Sequence, residues 1–134
     1  MLSFVLRVGA DNAITPHRTE QLSEEALCQL LHTDVTERLR AFEAPEPFVR
    51  QGISLCYYID ARGGERALDS NFCGTCLYHT GCPIYGDLIF AAAQDDALRG
   101  MSEAECDALT QWLTRQFPFL STEPSPQSRR SSLI

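Results

Sequence analysis

The densest run of chemically capable residues is Cys73-Gly74-Thr75-Cys76-Leu77-Tyr78-His79-Thr80-Gly81-Cys82, a C-x2-C-x2-H-x2-C array. Thiolates and an imidazole suit tetrahedral zinc, and a C-x2-C pair is the usual zinc half-site. Cys73, Cys76, His79 and Cys82 are therefore the candidate metal ligands. Zinc modules normally draw their second ligand pair from a separate loop or helix, however, and here three consecutive two-residue spacers would have to wrap one ion. Cys28, Cys56 and Cys106 are the other thiols able to complete a half-site. The plainer reading is of small, partly buried thiols in a chain that uses cysteine freely, and zinc is kept as the alternative. Cys73 and Cys76 also have the spacing of a redox dithiol, whose first thiolate is activated at a helix N-terminus. Such a pair should follow an apolar strand and open a long helix. Arg66 to Asn71 is a poor buried strand, and Gly81-Cys82-Pro83 ends any helix early.

Elsewhere the reactive side chains are scattered. Cys28 and His32 lie four apart, two ligands short of a site, and His17 is isolated. No G-x-S-x-G, H-E-x-x-H, G-x-x-x-x-G-K or G-x-G-x-x-G pattern occurs, so hydrolase, metalloprotease and nucleotide-loop chemistry lack support. All eleven cationic residues are arginine, which excludes Schiff-base lysine chemistry and a P-loop lysine. The expectation is a protein that binds rather than catalyses, with no cofactor.

The acidic residues offer a different chemistry. Asp87, Asp95, Asp96, Glu103, Glu105 and Asp107 gather around the last strand and helix, and Asp69 with Glu20, Glu24 and Glu25 adds to them. A negative face spaced like phosphates can occupy a basic nucleic-acid channel. A solvated surface is the simpler account, because helix N-termini attract carboxylates without any partner. The formal charge of −7 argues against direct binding to nucleic acid or anionic lipid and favours a basic protein partner.

These residues must be positioned by one hydrophobic core, since 134 residues that are 44% apolar suffice for a single domain and not for two ordinary ones. Ser3 to Val8 reads as a strand ended by a Gly9-Ala10-Asp11-Asn12 turn, with Ala13 to His17 as its return partner. Ser23 caps a helix over 23–32 whose apolar face is Ala26, Leu27, Leu30 and Leu31. Asp34 to Phe42 fits both periodicities and is assigned as strand. Pro45 and Pro47 break the chain before Ile53 to Asp60, the clearest strand by β-branched and aromatic content, and Arg62-Gly63-Gly64-Glu65 follows as a hairpin turn. Ile84 to Ala92 reads as a buried strand. Ser102-Glu103-Ala104-Glu105 matches a capping box that starts a final helix with Ala108, Leu109, Trp112 and Leu113 inward, stopped by Pro118. Residues 121–134 lack periodicity and apolar groups and read as a disordered tail. The folded part, 1–120, then has nine cations against 17 carboxylates, a balance of −8. The fold class is α+β, a single domain with a small antiparallel or mixed sheet and two main helices.

Met1 to Gly9 has no charged leader, long apolar region or cleavage site, and no run approaches a membrane span, so the expected location is cytoplasmic, with free thiols. The order of elements, together with Asn71 and the Ile-x-Gly-Asp stretch from Ile84 to Phe90, resembles a family of small bacterial domains of unknown function common on plasmids, conjugative elements and phages. The resemblance covers about residues 2–116, brings no catalytic residues with it, and leaves the cysteine array outside the family's pattern. In size and charge the chain is also similar to anti-CRISPR and anti-restriction inhibitors. What these likenesses imply is a mobile-element protein that binds a basic partner such as a defence nuclease or its guide complex.

Overall fold

The computed structural model describes residues 3–41, 43–78, 80, 82–95 and 97–122. The chain runs β1 (Ser3–Val8), β2 (Ile14–Thr19), α1 (Glu24–Leu31), β3 (Thr36–Arg40), α2 (Glu46–Gln51), β4 (Ser54–Asp60), α3 (Phe72–Leu77), β5 (Leu88–Gln94), β6 (Ala97–Arg99) and α4 (Glu103–Gln116). All strands join one antiparallel sheet in the order β2-β1-β5-β4-β3. On β5, Leu88 to Phe90 pair with β1, and Ala92 to Gln94 pair with β6. The α+β fold is as expected, and the sheet is antiparallel rather than mixed.

Helices cover both faces, which explains the near-continuous apolar run of the central strands: every residue of β4 after Ser54 and of β5 before Gln94 is buried. One face packs Leu6, Val8, Leu55, Tyr57 and Phe90 against Phe48 of α2, Cys73 and Leu77 of α3, and Leu109 and Leu113 of α4. The other packs Val5, Cys56, Tyr58, Ile89 and Ala91 against Leu27 and Leu31 of α1. Tyr57 and Phe90 are cross-strand partners with ring centroids 5.6 Å apart, and the Tyr57 hydroxyl donates to the Gly74 carbonyl at 3.2 Å. Gly74 allows this close approach, since a Cβ would sit 2.7 Å from Leu88 Cδ2 and one of the two would have to shift.

Several expectations are refined. Beside the two main helices, α1 and α4, the described residues form two six-residue helices, α2 and α3. Pro45 and Pro47 do not merely break the chain, because Pro45 caps α2 and Pro47 lies in its first turn, where a missing N–H costs nothing. Arg62 to Glu65 does turn, but not into a hairpin: β4 is flanked by β3 and β5, and the turn leads to α3. The strand expected from Ile84 begins only at Leu88, because Gly86 takes φ +85° and Tyr85 makes just an isolated bridge to Ser70. Of the expected tail, Ser121 pairs with the β1–β2 hairpin, donating to the Asn12 carbonyl at 3.0 Å and accepting from the Ile14 amide at 2.9 Å. Residues 123–134 lie outside the described residues.

The capping box of α4 is present: Ser102 Oγ accepts from the Glu105 amide at 3.1 Å, and Glu105 Oε1 accepts from the Ser102 amide at 2.9 Å. The same carboxylate takes two bonds of 3.0 Å from the Arg99 guanidinium. Burial works to raise the Glu105 pKa, but the bonds from Arg99 and Ser102 outweigh it and hold the carboxyl below its ordinary 4.5. A carboxyl depressed on folding contributes stability that is complete above its unfolded pKa and lost as pH falls through the folded one. Urea midpoints should therefore fall as pH drops below about 5, and Glu105→Gln, expected to cost on the order of 2 kcal/mol at neutral pH, should make that acid dependence shallower.

Candidate functional site

At the end of the sheet where β4 finishes and β5 begins, polar side chains replace the apolar core. Asn71, 1% exposed, caps α3: its Oδ1 accepts from the Gly74 amide at 3.0 Å. Its Nδ2 donates to the carbonyls of Val8 and Gly86, both at 3.0 Å. One carboxamide thus joins the end of β1, the turn before β5 and the start of α3. Thr75 adds a second link, accepting from the Ile84 amide at 2.9 Å.

Two carboxylates flank this hub. Asp87 accepts from Arg7 Nε at 3.0 Å and from the Ala10 amide at 3.0 Å, and its ion pair with Arg7 ties β1 to β5. Asp60, 3% exposed at the end of β4, accepts from Thr33 Oγ1 at 3.0 Å and the Arg62 amide at 2.8 Å and forms an ion pair with Arg66. Arg66 also donates to the carbonyl of His32, the left-handed residue that ends α1, at 3.2 Å. Between the two ion pairs lies a cavity of about 280 Å³ bordered by Ala10, His32, Leu68, Asp69 and Gly86. Buried Asp60 and half-buried Asp87 already accept several donors each, so their chemistry is to hold strand ends together.

Among the described residues the cysteine array does not converge. Cys73 is fully buried on the sheet-facing side of α3, and Cys76 and Cys82 are exposed. His79 lies outside the described residues. Among the described residues, no three of His, Cys, Asp and Glu come together as a metal would require. Burial, aided by the nearby Cys76, pushes the Cys73 thiol up to about 12. That is the reverse of the activation a redox dithiol needs at its first cysteine. Cys28 is half-buried, and His17 is half-buried on β2 with its pKa lowered by burial and by Arg7.

The acidic set divides as well. Asp87 and Glu105 are consumed by Arg7 and Arg99. Asp95 is exposed in the β5–β6 turn, with φ +54°, and Glu103 and Asp107 are exposed on the first turns of α4. Asp96 lies outside the described residues. Asp87 and Asp95 stand at opposite ends of β5, about 27 Å apart at 3.4 Å per residue, so they cannot share one face patch. The network around Asp60, Arg66, Arg7 and Thr33 was not anticipated. The available signal was Arg7 inside the apolar strand β1 and Asp60 closing the apolar strand β4, each a charge where burial demands a partner.

No protein-family model, curated protein or solved structure matches the chain. The described residues include no helix long and apolar enough to cross a membrane.

Two measurements check this geometry. Asn71→Ala removes the buried hydrogen bonds to the Val8 and Gly86 carbonyls and from the Gly74 amide and should lower stability by about 3 kcal/mol, read from urea midpoints, with a comparable loss for Asn71→Asp, which turns an oxygen toward the two carbonyls. In thiol titration of the native protein, Cys76 and Cys82 should react first and Cys56, Cys73 and Cys106 only on denaturation. Protection of Cys76 and Cys82 that chelator removes would instead indicate a metal held by the array.

Proposed function

We propose that this chain is a non-enzymatic acidic protein-binding domain that occupies the basic nucleic-acid-binding surface of a nuclease, as anti-CRISPR and anti-restriction inhibitors do. The observation that carries the reading is the contrast between internal and outward charge. Asp87 and Glu105 are neutralised by arginines, whereas Asp95, Glu103 and Asp107 are exposed and without an ion pair among the described residues. Only carboxylates of the second kind project a field beyond the surface, and in 0.1 M salt that field extends about 10 Å, enough to steer a basic groove onto it.

The mobile-element setting rests on the resemblance carried by Asn71 and Ile84-x-Gly-Asp87, and a cytoplasmic location follows from such a role. Both motif positions serve the strand-end network, which leaves the carboxylates around the β5–β6 turn and α4 free to vary with the partner.

DNA-cleavage assays with a panel of restriction and guide-complex nucleases test the proposal. The parent protein should inhibit at least one of them, and Asp95→Lys combined with Glu103→Gln and Asp107→Lys should weaken that inhibition by tenfold or more, on the order of 1.4 kcal/mol, with circular dichroism unchanged. Inhibition that survives the substitutions, or none across the panel, removes the charge-mimic reading.

A further inference from the structure

Three phenylalanines meet where α3 begins and the chain leaves α4. The ring of Phe72 lies 5.1 Å from that of Phe119, centroid to centroid, and Phe119 lies 5.8 Å from Phe117. Phe72 is 58% exposed and Phe119 40%, while Phe117 packs partly against the core. Among the described residues, Phe72 and Phe119 are the exposed large apolar side chains that form a ring pair with one another. Contiguous aromatic surface left in water is the kind of surface that protein interfaces enrich.

The ridge is held in place from both sides. Phe72 is the first residue of α3, next to its Asn71 cap, and Phe119 stands two residues before Ser121, whose amide donates to the Asn12 carbonyl at 3.0 Å. The same contacts bring carboxylates to its border. The exposed Asp11 precedes Asn12 and lies against Gly9, whose neighbour Val8 accepts from Asn71. The exposed Asp69 is three residues before Phe72, with its carbonyl held by the Gly86 amide at 2.7 Å. Neither carboxylate has an ion pair among the described residues. Arg115 is the one cation within four residues of any of the three rings, and it stands in the last turn of α4, at the negative end of that helix.

We infer that this ridge docks a basic, apolar peptide segment of another protein. An aliphatic or aromatic side chain of the segment packs on Phe72 and Phe119, and flanking arginine or lysine side chains meet Asp11 and Asp69. Charge selects this occupant. A second copy of the chain, itself at −7, would gather the same carboxylates around a two-fold axis. A nucleic acid could stack bases on the rings, but its phosphates would meet the same repulsion. The surface is separate from the charge-mimic face: Phe119 follows the C-terminal end of α4, whereas Glu103 and Asp107 stand in its first turns. Failure of either reading therefore leaves the other standing.

The test is selection from a phage-displayed library of random dodecapeptides on the full-length protein, followed by fluorescence anisotropy with the winning peptide. Enrichment of arginine or lysine on either side of an aliphatic or aromatic side chain is expected. Phe72→Ser and Phe119→Ser, both at exposed positions, should each weaken that peptide by about tenfold or more with circular dichroism unchanged. Asp11→Asn combined with Asp69→Asn leaves the rings in place and should weaken it by about tenfold while flattening its salt dependence. A library without that pattern, or peptides that bind these variants as tightly as the parent, would overturn the inference. Self-association of the parent that Phe72→Ser abolishes would overturn it too, making the occupant a second copy. So would tighter peptide binding by Leu133→Ser with Ile134→Ser, making the occupant the chain's own C-terminal segment.

Discussion

The buried carboxamide of Asn71 is the constraint on which the rest of this structure hangs. β1 and β5 are separated by most of the chain, and between them the backbone leaves β4, turns through Arg62 to Leu68, forms α3 and bends at Gly86. None of those bends makes a long ladder of its own. An amide is suited to the junction because it donates twice and accepts once in one plane, which a carboxylate or hydroxyl cannot do. With Val8, Gly86 and Gly74 satisfied, β5 enters the sheet in the register that puts Phe90 beside Tyr57 and Leu88 beneath α3.

Charge is spent in two ways in this molecule. Inside, Arg7–Asp87, Arg66–Asp60 and Arg99–Glu105 each join elements that the backbone ladders leave loosely connected. Their arginines are partly exposed and only Asp60 and Glu105 are buried, so these contacts act more as constraints on geometry than as a source of net stability. Outside, carboxylates at the β5–β6 turn and α4 and arginines on β3 remain exposed. A single figure of −7 conceals this division between paired charges that tie elements together and exposed charges of either sign.

How much could be read from the residues follows the range of the interactions. The capping box at Ser102, the Ser23 cap of α1 and the β-branched run of β4 are local, and each element stands where its residues indicated. Helices α2 and α3 span six residues each, too short for a 3.6-residue period to declare itself, and β6 has only three. Ile84 to Asp87 has strand composition but is bent by contacts with Ser70, Asp69 and Asn71, which are invisible to a window. The acidic set divides for the same reason. Sequence proximity of Asp87 to Asp95 says nothing of the strand that holds them apart, nor of an arginine 80 positions away that claims Asp87.

The placement of β5 between β1 and β4 also governs the protein's birth. Until residues 88–94 have been synthesised, neither β1 nor β4 has the strand that covers its inner edge. At roughly 5–20 residues per second, a few seconds separate the emergence of β4 from that of the strand that closes the sheet. During that interval the apolar side chains of β1 and β4, Val5, Leu6, Leu55 and Tyr57 among them, lack the cover that β5 gives them, so synthesis of β5 is the step that closes the core.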